Sequence, residues 1–244
     1  VAMTGCALLG LSPNLRGQSS ATTPRIGFLS AFARTDIDVF LGLLRQELEK
    51  LGWTDGRNIV LLAPRTTGGD NAALPAVAAE LVAQGPDLIL VQSVPATRAL
   101  MQATKSIPIV MVGVATPVEL GIVADYKKPG GNVTGASYLA DEYARKLLQF
   151  LKEAAPRLRS VALFINPSNE AATVLIKQMR ADVVALGMQA QVVEVSGKGD
   201  FDAAFAAIRR ANTESILLPP EPLIQSNGDA IAGGCELALH CDLR

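Results

Sequence analysis

The 244 residues carry a formal net charge of −1, are 49% hydrophobic and 18% charged, and include one histidine and three cysteines. That length allows two lobes of roughly 100–150 residues each, with aliphatic cores, because aromatic residues make up only 5%. The composition argues against nucleic-acid binders, which show a basic patch, against disulfide scaffolds, and against membrane spans, which need about 20 consecutive apolar residues.

Residues 1–11 are small and apolar, and residues 14–23 are polar and rich in Ser and Thr. This order suits the end of a secretory signal followed by a tether. The basic n-region is missing and the chain opens on Val1. Met3-Thr-Gly-Cys6 loosely matches a lipoprotein cleavage box, which makes Cys6 the candidate lipidated residue. Plain secretion or a chance apolar tail are the other readings. A signal remnant or tether is therefore expected over 1–23, a first lobe over 24–138 and a second over 139–244.

Arg25 to Leu29 reads as the first strand, with Ser30 and Phe32 in the loop at its carboxyl end. Thr35 is the expected N-cap of a helix whose apolar positions Ile37, Phe40, Leu41, Leu44 and Leu48 follow helical spacing. Gly52 ends it. Asn58 to Ala63 is the second strand and residues 65–70 are a loop. Leu74, Val77, Ala78, Leu81 and Val82 line the next helix, and Asp87 to Val91 is the third strand. Ser93 and Thr97 then open another helix. Ser93 reads as an N-cap, as a hydroxyl donor to a ligand carboxylate, or as both.

Ile109 to Val112 is an unbroken apolar run, which suits a parallel strand covered on both faces. It is expected to end at Gly113. Ala115-Thr116-Pro117 then forms a tight loop into a short helical turn, with Pro117 suited to the first position. In an open parallel sheet, loops at the carboxyl ends of strands form the ligand crevice. Ala115 and Thr116 would sit there, beside spare backbone N–H groups suited to an anion. An ordinary strand-to-helix connection is the bland alternative. Residues 128–131 break the chain, and Asn132 to Ala136 is another short strand.

A second lobe begins with an amphipathic helix from Asp141 to Ala155. Ser160 to Ile165 is a strand, and Asn166-Pro-Ser-Asn169 is turn chemistry that opens a long helix to Leu186. Gln189 to Val195 is a strand, and Asp200 to Ala211 is a helix with Phe201, Ala204, Phe205 and Ile208 inward. Ser215 to Leu218 is the last clear strand, followed by a loop carrying Glu221. Cys235 and Cys241 flank His240 at a spacing that is not a zinc pattern, so they read as a thiol pair on a helix and no metal site is expected. The alternation of strands and helices predicts two doubly wound α/β parallel-sheet lobes built on right-handed crossovers. No Gly-x-Gly-x-x-Gly loop, Walker A sequence or Gly-x-Ser-x-Gly elbow is present, which favours binding over turnover.

Several segments together resemble the substrate-binding proteins of ABC transporters, the family that includes tryptophan- and tyrosine-type binding proteins. They are Leu51-Gly-Trp-Thr-Asp-Gly-Arg-Asn-Ile59, Ile107-Pro-Ile-Val110, Thr116-Pro-Val118, Gly121-Ile-Val123 and Pro129-Gly-Gly-Asn-Val-Thr-Gly135. The resemblance covers about residues 24–239. It implies a periplasmic-binding-protein type I fold, an exported monomer without cofactor, and delivery of a small molecule to a membrane permease. It also implies that Asn166, Asn169 and Glu221 face the ligand from the second lobe, across from Ser30, Phe32, Ser93, Thr97, Ala115 and Thr116 on the first. As nulls, Asn-Pro is simple turn chemistry and Glu221 a solvated loop acid. One departure is that Thr116 stands where the family commonly has Asp. The expected ligand is an amino-acid-like zwitterion, its carboxylate held by Ser93 and Thr116 and its amine by Glu221. Family chains continue with a further strand and a return crossover, so the second lobe is expected to be incomplete. Two readings from other classes are a cytosolic α/β enzyme acting on a nucleoside or sugar, and the ligand-sensing core of a regulator.

Overall fold

The computed structural model describes residues 23–138, 140–219, 221–229 and 231. The expected signal or tether with Cys6, and the cluster of Cys235, His240 and Cys241, lie outside the described residues.

The first sheet holds β1 (Arg25–Ser30), β2 (Val60–Leu61), β3 (Arg65–Thr66), β4 (Leu88–Gln92), β5 (Ile109–Ala115) and β6 (Val133–Tyr138). Its order is β2-β1-β4-β5-β6, with β3 also on β1, and every pairing is parallel. The expected single strand over 58–63 is instead two short ones. Pro64 separates them, because a proline cannot donate to a ladder, and the ladder resumes at Arg65 in what reads as a loop. The helix after β1, α1 (Arg34–Lys50), starts one residue before the expected Thr35 cap, with Ala33 at the cap and no side-chain capping bond.

Side chains alternate across this sheet. Leu29, Ile89, Val91, Ile109 and Met111 bury against α2 (Leu74–Ala83) and α3 (Val94–Ala103). Phe28 and Leu90 meet Ile37 and Leu41 of α1 on the other face. Val110 and Val112 are only half-buried on that face. Among the described residues, the apolar run of β5 is therefore covered fully on one side alone, since α1 packs over β1 and β4. β5 also runs past Gly113 to Ala115, with a register shift between Val112 and Val114. The Asn-Val-Thr-Gly segment has its own reason. A Cβ at Gly135 would lie 2.2 Å from the Met111 carbonyl oxygen, at a φ of +132°. Only glycine lets β6 come this close to β5.

The second sheet is β8-β7-β9, parallel throughout, from β7 (Ser160–Ile165), β8 (Gln189–Glu194) and β9 (Ile216–Leu217). On one face α4 (Ala140–Ala154) and α5 (Glu170–Ala185) cover Val161 and Leu163 through Ala144, Leu148, Met179 and Val183. On the other, α6 (Phe201–Arg210) brings Phe201 and Phe205 against Phe164, with ring centroids 6.2 and 5.7 Å apart. Such aromatic contacts add about 0.5–1.5 kcal/mol beyond their burial. A short helix, α7 (Pro222–Gln225), occupies the expected loop after β9. Pro222 at its first position has no N–H to leave unsatisfied.

The two sheets meet closely. Arg98 on α3 pairs with Glu170 at the start of α5 and also donates to the Leu120 carbonyl. Asn71 Nδ2 donates to Ser168 Oγ at 2.9 Å. Ala171 and Leu175 of α5 pack on the core of the first lobe. Gly69, at φ +93°, lies so near α7 that a Cβ there would sit 2.7 Å from the Leu223 Cα.

Candidate ligand-binding cleft

The carboxyl ends of β1, β4, β5 and β6 face those of β7 and β9 across a cavity of about 140 Å³. That is the scale of an apolar cavity that admits a benzene ring. From the first lobe it is lined by Phe32, Ser93, Val94, Gly113, Ala115 and Tyr138. The second lobe supplies Phe164 at the end of β7, the α5 stripe Ala171, Ala172, Leu175, Ile176 and Met179, and Asn169, Pro219, Glu221 and Pro222, with Ala140 at the junction.

Of the nine candidate ligand residues, Phe32, Ser93, Ala115, Asn169 and Glu221 line this cavity, while Ser30, Thr97, Thr116 and Asn166 do not. The buried hydroxyls of the first lobe are used locally. Ser30 Oγ accepts from the Phe32 N–H at 3.1 Å and donates to Gln92 Oε1 at 3.4 Å, which fixes the loop that presents Phe32. Thr97 Oγ1 donates to the Ser93 carbonyl at 2.7 Å. Ser93 is the N-cap of α3, accepting from the Ala96 N–H at 3.4 Å. It holds this position at φ +77° and ψ 152°, a region nearly reserved for glycine that costs other residues on the order of 1–3 kcal/mol. Thr116, at φ +41°, is left-handed. The short helical turn expected after it is a run of turns, with an i→i−4 bond from the Leu120 N–H to the Thr116 carbonyl at 3.1 Å and no helix continuing from it among the described residues. Thr116 therefore has no helix start beside it to hold an anion.

The second lobe builds its wall from side chains. Glu221 is 2% exposed. Its Oε1 accepts from Asn166 Nδ2 at 3.0 Å and from Asn169 Nδ2 at 3.4 Å, and its Oε2 from the Ile224 N–H at 3.2 Å, which caps α7. Asn169 caps α5 in turn, accepting from the Ala171 N–H at 3.2 Å. Asn166 is fully buried just behind this wall. Burial pushes the Glu221 carboxyl above the usual carboxylate range, against the N–H donors of Ile224, Asn166, Asn169 and Leu223, which pull it down. Among the described residues no lysine or arginine lines the cavity. Tyr138, the other titratable lining group, is also raised, first by burial and then by Tyr143.

Sequence reading missed Tyr138, Phe164 and the α5 stripe. Tyr138 and Phe164 stand at or next to the last residue of their strands. Reading the final strand residues along with the loops would have found them. The stripe from Ala171 to Met179 has ordinary core spacing, and only its place opposite the first lobe marks it as cavity lining.

Two facing parallel sheets with a cavity between their carboxyl ends define a two-lobe ligand-binding protein of type I periplasmic-binding-protein fold. The family model for ABC transporter substrate binding proteins matches residues 37–234, and the chain belongs to that family. It is 37% identical over 122 residues to the tyrosine-binding protein of Clostridioides difficile, a match spanning 50% of this chain and 34% of that protein. The chain thus matches about a third of that relative's length. In fold it is similar to a conserved domain protein from Vibrio cholerae O1 biovar eltor, with a TM-score of 0.81 and 24% identity over 89% of this chain and 72% of that one. An ABC domain from Streptococcus pneumonia solved with L-Trp gives a TM-score of 0.79 and 22% identity over the same shares.

Proposed function

We propose that this protein is the extracytoplasmic solute-binding component of an ABC transporter, which closes its two lobes around an amino-acid-like molecule and delivers it to a membrane permease. The observation that carries the ligand class is Glu221, a buried carboxylate in a mostly apolar cavity with no cationic side chain among the described residues. It takes the ligand amine. Ser93 at the start of α3 takes the ligand carboxylate through its hydroxyl, with the Val94 N–H beside it. The apolar lining takes the side chain. The tyrosine named for the Clostridioides difficile protein and the L-Trp bound in the Streptococcus pneumonia structure support this reading. The protein acts as a monomer, without cofactor or nucleic acid, and binds rather than transforms its ligand.

Calorimetric titration against a panel of L-amino acids tests it. At least one should bind, and Glu221→Gln should weaken that ligand by about 2–5 kcal/mol, because it removes one member of a buried charge pair. Ser93→Ala should weaken it about tenfold, as expected for a lost hydrogen bond to a charged group. Silence across the whole panel, or full affinity in Glu221→Gln, overturns the reading.

A further inference from the structure

Behind the cavity wall, a chain of hydrogen bonds links the first lobe to Glu221. Asn71 Nδ2 donates to Ser168 Oγ at 2.9 Å, Ser168 Oγ donates to Asn166 Oδ1 at 2.7 Å, and Asn166 Nδ2 donates to Glu221 Oε1 at 3.0 Å. One backbone group fixes every direction in it. The Ser168 N–H donates to Asn166 Oδ1 at 3.1 Å, so that oxygen must be the acceptor and the Asn166 amide must present its N–H to Glu221. The Ser168 hydroxyl must then donate to the same oxygen, which leaves its lone pairs for the Asn71 amide. Asn71 accepts this orientation although its own Oδ1 is left buried without a hydrogen-bond partner among the described residues.

We infer that Asn71, Ser168 and Asn166 form a one-way relay through which docking of the first lobe on the second prepares the Glu221 carboxylate for a cationic ligand group; this rests on the reading that Glu221 holds the ligand amine. Each donor polarises the next, so making the outermost bond strengthens the innermost one. The relay favours the ionised form, because N–H donors aimed at Glu221 bind a charged carboxylate more strongly than a neutral acid. The groups facing Glu221 are the N–H donors of Leu223, Ile224, Asn166 and Asn169. Tyr138 is the other titratable group on the cavity lining, and neighbouring Glu170 is turned onto Arg98. Among the described residues no other charged side chain lines the cavity. Asn71, Ser168 and Asn166 are thus positioning residues and touch no ligand.

The test uses the full chain with L-tyrosine as probe, titrated from about pH 4.5 to about pH 8. The variants are Ser168→Ala, Ser168→Thr, Asn71→Ala and the double alanine variant. Carbon-13 NMR of the Glu221 side-chain carboxyl follows its titration in the same samples without tyrosine. Ser168→Ala should weaken binding about three- to tenfold at neutral pH. It should also move the loss of affinity on acidification, and the NMR midpoint, to higher pH. Ser168→Thr keeps the hydroxyl and should restore both. Asn71→Ala should shift both the same way by less, and should add nothing once Ser168 is alanine. A merely structural contact would leave the pH profile in place. Superimposable profiles for the parent and Ser168→Ala, or additive shifts in the double variant, overturn the relay. If Glu221→Gln binds tyrosine at parental affinity while Ser168→Ala still moves the NMR midpoint, the amine assignment fails and the relay stands.

Discussion

The two walls of the cleft are built by different means. The first lobe shapes its wall with backbone. Ser93 and Thr116 just after β4 and β5, and Gly113 within β5, all hold positive φ, and the hydroxyls nearby bond to groups of their own lobe. The second lobe shapes its wall with side chains. Asn166, Asn169 and Glu221 form one buried hydrogen-bonded group, and Phe164 beside them is shared between the cavity and the core. The contrast teaches that an element can serve a site through its conformation or through its chemistry, and that substitution separates the two.

The largest effect is expected from the side-chain wall. Phe164→Ala removes a fully buried ring packed on Phe201 and Phe205 and should lower stability by about 3–5 kcal/mol, read from urea unfolding. A loss under about 1 kcal/mol would mean that this wall is not anchored in the core.

The backbone wall should respond less, and in a diagnostic way. Ser93→Ala loses the cap of α3 while keeping the strained φ, a cost of about 1 kcal/mol. Ser93→Gly loses the same hydroxyl but relieves the strained conformation, so it should equal or exceed the parent in thermal stability. If the alanine variant melts at or above the glycine one, conformation is not what this residue supplies.

A third effect sharpens the contrast through pH. The folded-state value of Glu221 is raised above its unfolded one. Over the window between the two, the native state holds more protons than the unfolded state, so stability falls as pH rises. The contribution is full below the ordinary carboxylate range and is lost as pH climbs through the raised value. Unfolding of ligand-free protein over this window should show that slope, and Glu221→Gln should flatten it. An unchanged slope would place the effect elsewhere.

This contrast also explains what could be read from the sequence. Apolar runs and helical spacings marked both sheets and most helices, because burial imposes them on any sequence with this fold. Asn169 and Glu221 were legible as cavity candidates because their chemistry is in the side chain. Thr116 was misplaced because its neighbourhood depends on a left-handed φ and a run of turns, which residue type does not encode for threonine. The division of the second strand needed the meaning of Pro64 within a ladder, and the reach of β5 past Gly113 needed its pairing with β6. The α5 stripe was invisible as cavity lining because its periodicity is the same whether it faces a core or another lobe.

Gly69 governs time as much as shape. Its missing side chain lets the two lobes approach at Leu223, where a single Cβ would lie 2.7 Å from the opposing Cα. An alanine there acts as a doorstop. The lobes would stop short, and a captured molecule would escape through the gap. The cost falls on residence time more than on encounter, because approach to the open cleft is untouched and affinity differences within one interface are mostly differences in departure rate. In stopped-flow experiments Gly69→Ala should speed release of a bound amino acid while leaving its association rate near that of the parent.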